Sequence, residues 1–438
     1  MASEWVDIAL HEACERVYSG GTPRSTVREY FDGGTIPWLK TKEVKYRKIY
    51  STESKITDAG LANSSAKFVP INAVIVAMYG DGDTAGRVAI NKIPLTTNQA
   101  CCNLLIDPNV ADYRFIYYLL RAKYDDLVDL KNGGGQQNLN AQLIKSLKIS
   151  LPAIDVQASI SDLLEALDDK TEELSTQNET LEAIARAIFK SWFVDFDPVR
   201  AKAEGRETEG MDASTADLFP ASLMNSELGE IPQGWAATYI GECAEIVGGS
   251  TPSTANAVYW NGGQHCWATP KDLSNNKSPV LLSTERRVTD EGRDDISSGL
   301  LPVDTVLLSS RAPIGYLAIA KVPTAINQGF IALKPLGKVS SEFLILWAAQ
   351  AMETIKSLAN GSTFQEISKR NFRTIQLARP SGEVLDAFNA IVKPLYDRIT
   401  TNAEQVETLS QLRDTLLPRL ISGKLRLPEA EKLVEAVL

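Results

Sequence analysis

Two stretches of the chain place apolar residues at alternating spacings of three and four, which predicts long helices with one continuous apolar stripe. The first stretch covers residues 160–188, and the second repeats it over residues 388–416. Each would make about 43 Å of α-helix, more than one small module can cover. We therefore expect the two helices to pack against each other in antiparallel orientation, the alternative being that each packs only on its own module. The predicted seam, which is also the predicted partner-binding region, consists of Ile160, Leu163, Leu167, Leu174, Leu181, Ile184, Ile188, Ile391, Leu395, Leu409, Leu412 and Leu416.

Both stripes also carry polar residues in matching layers. Lys170 and Gln177 interrupt the first stripe, and Arg398 and Gln405 interrupt the second at equivalent positions. Polar residues in a helix seam cost stability but fix the register of the pairing. The pattern therefore favours one defined alignment of the two helices.

The region before each helix has a different pattern, with short Val- and Ile-rich runs between Gly, Pro and Asn residues. Residues 73–78 and 305–308 are typical of strands, and residues 113–123 and 342–352 of a helix in each region. The predicted fold is therefore α+β, with two repeated α/β modules separated by two long antiparallel coiled-coil helices.

An offset of about 229 residues relates several short motifs of the two modules, which indicates a duplication. The repeated motifs are Thr22-Pro23 with Thr251-Pro252, Trp38 with Trp267, and Asn98-Gln99 with Asn327-Gln328. The predicted segments are a first module at 1–154, a helix at 155–194, an acidic linker at 195–230, a second module at 231–381, a second helix at 382–425 and a tail at 426–438.

The charge of the chain is unevenly distributed. The 438 residues carry a net charge of −10, but residues 162–182 carry −7 and residues 195–230 carry −6, so the rest is slightly basic. The acidic balance is thus confined to two segments and does not argue against a nucleic-acid partner. Residues 195–230 lack periodicity, which predicts an extended linker with a loosely ordered middle.

Few residues are suited to catalysis or metal binding. The two histidines, His11 and His265, are not at equivalent positions, and the absence of a Cys-x-x-Cys pair argues against a structural metal. The sequence has no Walker-type phosphate loop, so it predicts no cofactor. Five irregularly spaced cysteines, no run of 18 apolar residues and no signal-like N-terminus indicate a reduced cytoplasmic protein without a membrane span.

Basic and amide side chains gather in patterns that suit nucleic-acid binding. A basic run interrupted by Tyr46 suits phosphate contacts, and Gln and Arg side chains on loops can bond the edges of adenine and guanine. The alternative is that the run is a solvated strand edge and the loop amides cap turns. The candidate DNA-binding residues are Thr22, Lys40, Lys42, Lys45, Arg47, Lys48, Gln99, Gln136, Gln137, Thr251, Lys271, Arg311, Gln328, Thr363 and Gln365.

Longer motifs resemble those of the specificity subunit of type I restriction-modification systems, and the resemblance covers the whole chain. The motifs are Gly21-Thr22-Pro23, Ser250-Thr251-Pro252, Glu230-Ile231-Pro232 with Gly234-Trp235, Ser191-Trp192-Phe193-Val194-Asp195-Phe196-Asp197-Pro198-Val199, and Leu416-Leu417-Pro418-Arg419-Leu420-Ile421-Ser422-Gly423-Lys424-Leu425. The resemblance implies two target-recognition domains, each binding one half of a bipartite double-stranded DNA sequence. It also implies helices that set the spacer and dock two modification subunits.

The resemblance further implies that the chain is not itself an enzyme. Adenine methylation and ATP-driven cleavage would belong to the modification and restriction subunits. Because residues 79–86 of the first module face a shorter and different loop at 311–315, we expect an asymmetric target with two unlike halves. The recognition domains of this family vary, so the candidate base contacts rest on side-chain chemistry alone.

Two other functions stay open on the sequence alone. A duplicated-domain enzyme would need carboxylates or histidines at equivalent positions, and Asp58 and Asp290 form such a pair, although both are more typical of turn caps. A scaffold that bridges two copies of a partner without DNA would use the acidic face of residues 162–182.

Overall fold

The computed structural model describes residues 5–80, 82–130, 138–276, 278–361 and 365–436. The chain divides into two compact units, which we call unit 1 (Met1–Asp169 with Thr408–Leu438) and unit 2 (Lys170–Glu407). Each unit contains one of the two predicted modules and a part of both long helices. Unit 1 is therefore built from two distant segments of the chain.

Unit 1 carries three sheets in its described part. Its strands are β1 (Val6–Ala9), β2 (Cys14–Ser19), β3 (Ile36–Leu39), β4 (Lys48–Ile49), β5 (Ser54–Ile56), β6 (Phe68–Val69), β7 (Val74–Ala77), β8 (Val88–Asn91), β9 (Leu95–Thr97), β10 (Cys101–Ile106) and β11 (Lys148–Leu151). Its helices are α1 (Asp58–Ala62), α2 (Tyr113–Ala122), α3 (Tyr124–Asp129), α4 (Ala141–Ser146) and the first part of α5 (Ile154–Phe193). The sheets have the orders β2-β10-β7-β8-β4, β5-β3-β9-β6 and β1-β11.

Unit 2 repeats this arrangement. Its strands are β12 (Leu223–Ser226), β13 (Gly229–Pro232), β14 (Ala236–Tyr239), β15 (Ala244–Gly248), β16 (His265–Ala268), β17 (Val280–Leu281), β18 (Arg286–Val288), β19 (Thr305–Ser309), β20 (Leu317–Ala320), β21 (Thr324–Ile326), β22 (Phe330–Pro335) and β23 (Gln376–Arg379). The following helices are α6 (Asp197–Ala203), α7 (Ala213–Asp217), α8 (Ile240–Cys243), α9 (Pro270–Asn275), α10 (Asp290–Asp294), α11 (Ser341–Gln350), α12 (Met352–Ser357), α13 (Lys369–Arg373) and α14 (Gly382–Ile421), which ends in unit 1, where α15 (Leu427–Glu435) follows. The order β15-β22-β19-β20-β17 matches the five-stranded sheet of unit 1, and β18-β16-β21 matches β5-β3-β9 without a counterpart of β6, which confirms the duplication and the α+β prediction.

The central strands of both five-stranded sheets are buried along their whole length. All residues of β7 and of β19 are buried, because α2 packs on β7 and α11 packs on β19. A strand that is covered on both faces has apolar residues at consecutive positions, so these segments are recognisable in the sequence as continuous apolar runs.

The two long helices pack together in antiparallel orientation, as the stripes predicted. Each is 40 residues long, or about 60 Å. In unit 2 the ring of Phe193 lies 4.9 Å from that of Phe388, while Asn402 donates to Asn178 over 2.9 Å. Later residues of α5 thus meet earlier residues of α14. In unit 1 the Arg413 guanidinium lies 2.7 Å from the Asp168 carboxylate.

The predicted seam is correct in part and shifted by one residue elsewhere. Ile160, Leu167, Leu174, Leu409 and Leu416 are buried, whereas Leu163, Leu181, Ile188, Leu395 and Leu412 are half-buried. Ile184 and Ile391 are 43% and 39% exposed, so they lie outside the contact between the two helices. Their places are taken by the next residues, Ala185 and Val392, which are fully buried. The buried positions still repeat every seven residues, as at Ile160, Leu167 and Leu174, but the steps within a repeat are four and then three residues instead of three and then four.

The same shift moves the polar layer of the seam. In this layer of α5, the buried amide belongs to Asn178 and not to Gln177. The Asn178 side chain donates to the Ile399 carbonyl oxygen over 3.2 Å. Asn402 is fully buried opposite it. The Asn402 amide nitrogen meets the Asn178 side-chain oxygen in only one alignment of the two helices, so the polar layer that fixes the register contains Asn178 in place of Gln177.

The segment at residues 195–230 is folded, so the expected loose linker is wrong. It contains α6, α7 and β12, and it buries Phe196 and Phe219. The Phe219 ring lies 5.1 Å from Trp192 at the end of α5, and the Phe196 ring lies 5.7 Å from Trp235. The few aromatic residues among the acidic ones anchor the segment, which the net charge alone does not reveal.

Candidate nucleic-acid interface

In both units, two parallel strands end side by side. Leu39 of β3 pairs with Thr97 of β9, and Ala268 of β16 pairs with Ile326 of β21, in parallel register. Because parallel strands end at the same edge of a sheet, the loops that follow them lie together. The segments that follow these strands carry the predicted residues Lys40 and Gln99 in unit 1 and, in unit 2, Gln328 together with Lys271 of α9.

A threonine from a third loop joins each glutamine. The Thr22 hydroxyl donates to the Gln99 side-chain oxygen, and the Thr251 hydroxyl donates to that of Gln328. All four side chains are exposed. We call these two contacts the Thr–Gln pairs. The structure thus brings together four of the sequence-predicted residues, in the same arrangement twice.

A tryptophan indole holds each threonine loop in place. The Trp38 ring nitrogen donates to the Gly21 carbonyl oxygen over 3.0 Å, and that of Trp267 donates to Ser250 over 3.4 Å. Both tryptophans are buried in the parallel strands. The loop position is therefore fixed by the sheet.

The basic run of unit 1 has mixed surroundings. Lys42 forms an ion pair with Glu53, and its hydrogen bond and charge lower the pKa of that carboxyl, with a smaller contribution from the exposed Lys45 and Arg47. The Lys40 ammonium lies 5.0 Å from the centre of the Trp38 ring. Lys40 follows Leu39, which accepts from the Asn98 amide, so it adds positive charge beside the Thr22–Gln99 pair.

Unit 2 repeats the ion pair of unit 1. Lys271 lies 2.8 Å from Glu285, and the hydrogen bond to that carboxylate raises the pKa of Lys271. Lys42 and Lys271 thus occupy equivalent positions after β3 and β16 and pair with equivalent carboxylates.

Lys48 contacts the long helix, so its assignment to a DNA-binding surface is wrong. Its half-buried ammonium lies 2.8 Å from Glu165 of α5 and also pairs with Asp169. Burial alone lowers the pKa of Lys48, but the hydrogen bonds to Asp169 and Glu165 outweigh it and raise the pKa. Burial likewise raises the pKa of Glu165, and the bonds from Lys48 and Arg114 reverse this and lower it.

Replacing Lys48 with methionine should destabilise unit 1 by about 1 kcal/mol at neutral pH. The pKa of Glu165 is lowered on folding, so its ionised form stabilises the folded state. This stabilisation is present above the unfolded pKa of about 4.3 and is lost as the pH falls through the lower folded value. The raised pKa of Lys48 makes its contribution full below about pH 10.4 and lost at higher pH. The difference between wild type and variant in urea unfolding should therefore shrink below about pH 4. The exposed Lys45→Met is the control, and an equal loss of stability in both variants would contradict the assignment.

Three loops of unit 2 place Arg311, Gln328 and Gln365 next to one another. The Ser310 amide donates to the Gly329 carbonyl oxygen over 2.8 Å, and the backbones of Arg311 and Glu366 form a bridge. The Arg311 guanidinium lies 3.5 Å from the Glu366 carboxylate, with about a third of its side chain exposed. Gln365 is exposed beside this ion pair. The remaining predicted residues, Gln136, Gln137 and Thr363, lie outside the residues that the structure describes.

Unit 1 places a tyrosine where unit 2 has Arg311, and sequence reasoning missed it. The Met78 amide donates to the Ala100 carbonyl oxygen over 2.8 Å, which is the counterpart of the Ser310 bond. Tyr79 follows Met78, is 36% exposed and lies in the loop beside Gln99. The alignment of the two copies, which sets residue 79 against residue 311, carries the signal that could have found it.

Arg286 is a second residue whose role the sequence leaves open. It pairs with Trp267 across β18 and β16, and its exposed guanidinium carbon lies 3.7 Å from the centre of the Trp260 ring. A stacked guanidinium is held rigidly while its donors stay available to a phosphate.

The candidate enzymatic residues are not arranged as a catalytic site. Asp290 accepts from His265 over 2.9 Å and pairs with Arg293, and Cys266 is buried. Asp58 and Asp290 begin α1 and α10, where Thr57 and Thr289 supply the caps. Within the described ranges, no cluster of three or more His, Cys, Asp or Glu side chains could hold a metal ion. No helix in that part of the chain is long and apolar enough to cross a membrane.

The family profile described as type I restriction modification DNA specificity domain matches residues 2–183 and 232–411. These two ranges cover most of the chain, one in each copy of the repeat. The chain therefore belongs to the type I restriction-modification DNA specificity family.

Two curated relatives and one solved structure are similar over much of their length. The MjaIX type I restriction enzyme specificity subunit of Methanocaldococcus jannaschii is 26% identical over 97% of this chain and 94% of its own. The HindI specificity subunit of Haemophilus influenzae is 28% identical over 74% of this chain and 80% of its own. The crystal structure of a type I restriction-modification S subunit from M. genitalium has a TM-score of 0.59 at 17% identity and covers 95% of this chain and 96% of its own, which shows a shared fold.

Proposed function

We propose that this chain is the DNA-specificity subunit of a type I restriction-modification complex and that each unit binds one half of a bipartite double-stranded target. The observation that carries the proposal is the repeated surface at the ends of the parallel strands, where each unit presents an exposed Thr–Gln pair beside basic residues. Hydroxyl, amide and ammonium groups are the usual partners of phosphates and base edges. Such a surface, present twice in one chain, suits a ligand with two separated binding positions.

The two halves of the target are unlike. Both units share the Thr–Gln pair and the lysine ion pair, but Tyr79 stands where unit 2 has Arg311. A tyrosine and an arginine offer different donors and shapes to a base edge, so the two units select different sequences.

Catalysis belongs to the other subunits, and the long helices provide their docking surface and set the spacer. We infer that two modification subunits bind here, that restriction subunits join them, and that the complex acts in the cytoplasm, where the DNA is. The shifted seam supports this docking, because it leaves Ile184 and Ile391 exposed on the paired helices of unit 2. An apolar side chain that a partner covers is removed from water, which favours the association.

The test of the proposed function is sequencing of N6-methyladenine across the genome of the source cell before and after deletion of this gene. We expect one bipartite motif with two unlike halves to lose its methylation, and plasmid-borne expression of the full chain to restore it. A methylome that deletion leaves unchanged, or a palindromic motif, would contradict the proposal. Nuclease or methyltransferase activity in the purified chain alone would favour an enzyme instead.

Replacing Ile391 with glutamate should weaken the binding of the modification subunit about tenfold or more, because a charge would be buried at the interface. The control is Thr401→Glu, which adds the same charge at an exposed position of α14. The measurement is the amount of modification subunit that co-purifies with the full chain, together with the thermal unfolding of each variant. Equal retention of the partner by both variants would place the docking surface elsewhere.

A further inference from the structure

The duplication provides an internal comparison between positions that are the same in both units and positions that differ. Both units face a duplex with the same phosphate backbone, but the proposed target has different bases in its two halves. A side chain that recurs in the same geometry is therefore suited to the common feature of the DNA. A side chain that differs at an equivalent position is suited to the feature that differs.

The Thr–Gln pairs are the recurring feature. In both units the threonine hydroxyl donates to the glutamine oxygen, so the amide nitrogen of Gln99 or Gln328 is left as a donor that the hydroxyl orients. The buried tryptophan under each threonine loop also recurs. Oriented amide and hydroxyl donors on loops commonly contact phosphate oxygens, which fixes the position of a protein on the duplex without reading its sequence.

Tyr79 and Arg311 are the differing feature. The backbone bonds from Met78 to Ala100 and from Ser310 to Gly329 have the same length, 2.8 Å, so the two side chains leave equivalent points of the backbone. The residues that accept these two bonds, Ala100 and Gly329, directly follow the glutamines of the Thr–Gln pairs. Tyr79 and Arg311 are exposed to a similar extent, about a third.

The chemistry of these two side chains points to different bases. The Arg311 guanidinium is held on one side by Glu366, 3.5 Å away, and still has donors that can fork onto the two acceptor atoms of guanine in the major groove. Tyr79 offers an aromatic ring, whose apolar face suits the methyl group of thymine. The loop after it is fixed by Tyr124, whose hydroxyl donates to the Asp83 carbonyl oxygen over 2.8 Å.

We propose that Arg311 and Tyr79 make the two half-sites different, Arg311 by selecting guanine and Tyr79 by selecting thymine, while the Thr–Gln pairs bind the backbone of both halves. This inference rests on the proposed function and assigns base selection to one position in each unit.

The test is selection of bound duplexes from a randomised library by the full-length chain, purified together with its modification subunits. Wild type should enrich one bipartite motif with a guanine in one half. Arg311→Ala should reduce the preference for that guanine about ten- to a hundredfold and leave the other half unchanged. Arg311→Lys keeps the charge without the fork, so it should lose the preference while binding with nearly wild-type affinity.

Substitutions of Tyr79 in unit 1 and of Gln328 in a Thr–Gln pair test the other two assignments. Tyr79→Ala should relax one thymine in the other half, and Tyr79→Phe should keep it because the ring remains. Gln328→Ala should lower the affinity for every sequence about fivefold without changing the motif. A thermal unfolding curve for each variant separates loss of contact from loss of fold.

The outcomes distinguish the inference from the function on which it rests. If wild type enriches no bipartite motif, the proposed function fails. If wild type enriches one but Arg311→Ala and Tyr79→Ala leave it unchanged, or Gln328→Ala alters a base, the function stands and the assignment of these residues is overturned.

Discussion

Replacing Gly249 with alanine should abolish recognition of one half of the target, whereas the same change at the neighbouring Gly248 should have little effect. A Cβ atom at position 249 would lie 2.5 Å from the carbonyl carbon of Ile326 and would overlap its oxygen. At position 248 the added atom would meet only the side chain of Lys369, at 3.0 Å, which is flexible and can move away. The two neighbours therefore form a matched pair that differs only in what the methyl group meets.

The consequence of Gly249→Ala reaches the candidate interface directly. The Ser250 amide donates to the Ile326 carbonyl oxygen. Thr251, which follows Ser250, and Gln328, two residues after Ile326, form the Thr–Gln pair of unit 2. Forcing these backbones apart separates the pair and should destabilise unit 2 by about 3 kcal/mol. We expect the affinity for the full target to fall about a hundredfold or more, which calorimetry and chemical denaturation would measure.

The corresponding change in unit 1 serves as the second control. An alanine at Gly20 would overlap the Thr97 carbonyl oxygen, so Gly20→Ala should impair the opposite half of the target. If Gly249→Ala binds and folds like wild type, or if both variants impair the same half, the loops around the Thr–Gln pairs do not form the interface.

Replacing Phe388 with alanine should destabilise unit 2 by about 4 kcal/mol. Phe388 of α14 is fully buried, and its ring lies 4.9 Å from Phe193 and 6.0 Å from Phe189, both on α5. It also lies 6.1 Å from Phe343 of α11, so one side chain joins both long helices to the module. Its loss leaves a cavity among several aromatic rings that cannot all close around it.

Chemical denaturation of the full chain, followed by tryptophan fluorescence, would measure this loss. Trp192, which lies 5.9 Å from Phe388, reports on the same region. The control is Ile391→Ala one turn further along α14, which should change stability by only about 0.5 kcal/mol because Ile391 is exposed. Similar losses for both variants would mean that the aromatic cluster does not carry the stability of unit 2.

The sequence predicts best what the chain contains twice. Thr22, Gln99 and their counterparts are far apart along the chain, but their common offset marks them as equivalent, and the structure pairs them in both units. The antiparallel helix pair was likewise predictable, because a long apolar stripe has to be covered.

What could not be predicted depends on contacts between distant segments or on small differences in helix geometry. Lys48 belongs to a basic run, and only the folded chain shows that Glu165 and Asp169 of α5 take it away from the surface. Ile391 lies outside the seam because the buried stripe of α14 advances by four residues from Phe388, so that Val392 is the next buried position. The alignment of the two copies sets Tyr79 against Arg311, but only the folded chain shows that both lie beside the loop of a Thr–Gln pair.

The composition of unit 1 has a consequence for the synthesis of the chain. The Asp168 carboxylate pairs with Arg413, and the 31 residues that complete unit 1, Thr408–Leu438, are made after all of unit 2. Unit 2 is one continuous segment and can finish folding before them. At a translation rate of about 5–20 residues per second, residues 1–169 wait about 10–50 seconds for their partner segment. Unit 1 can therefore be completed only after the whole of unit 2 has been synthesised.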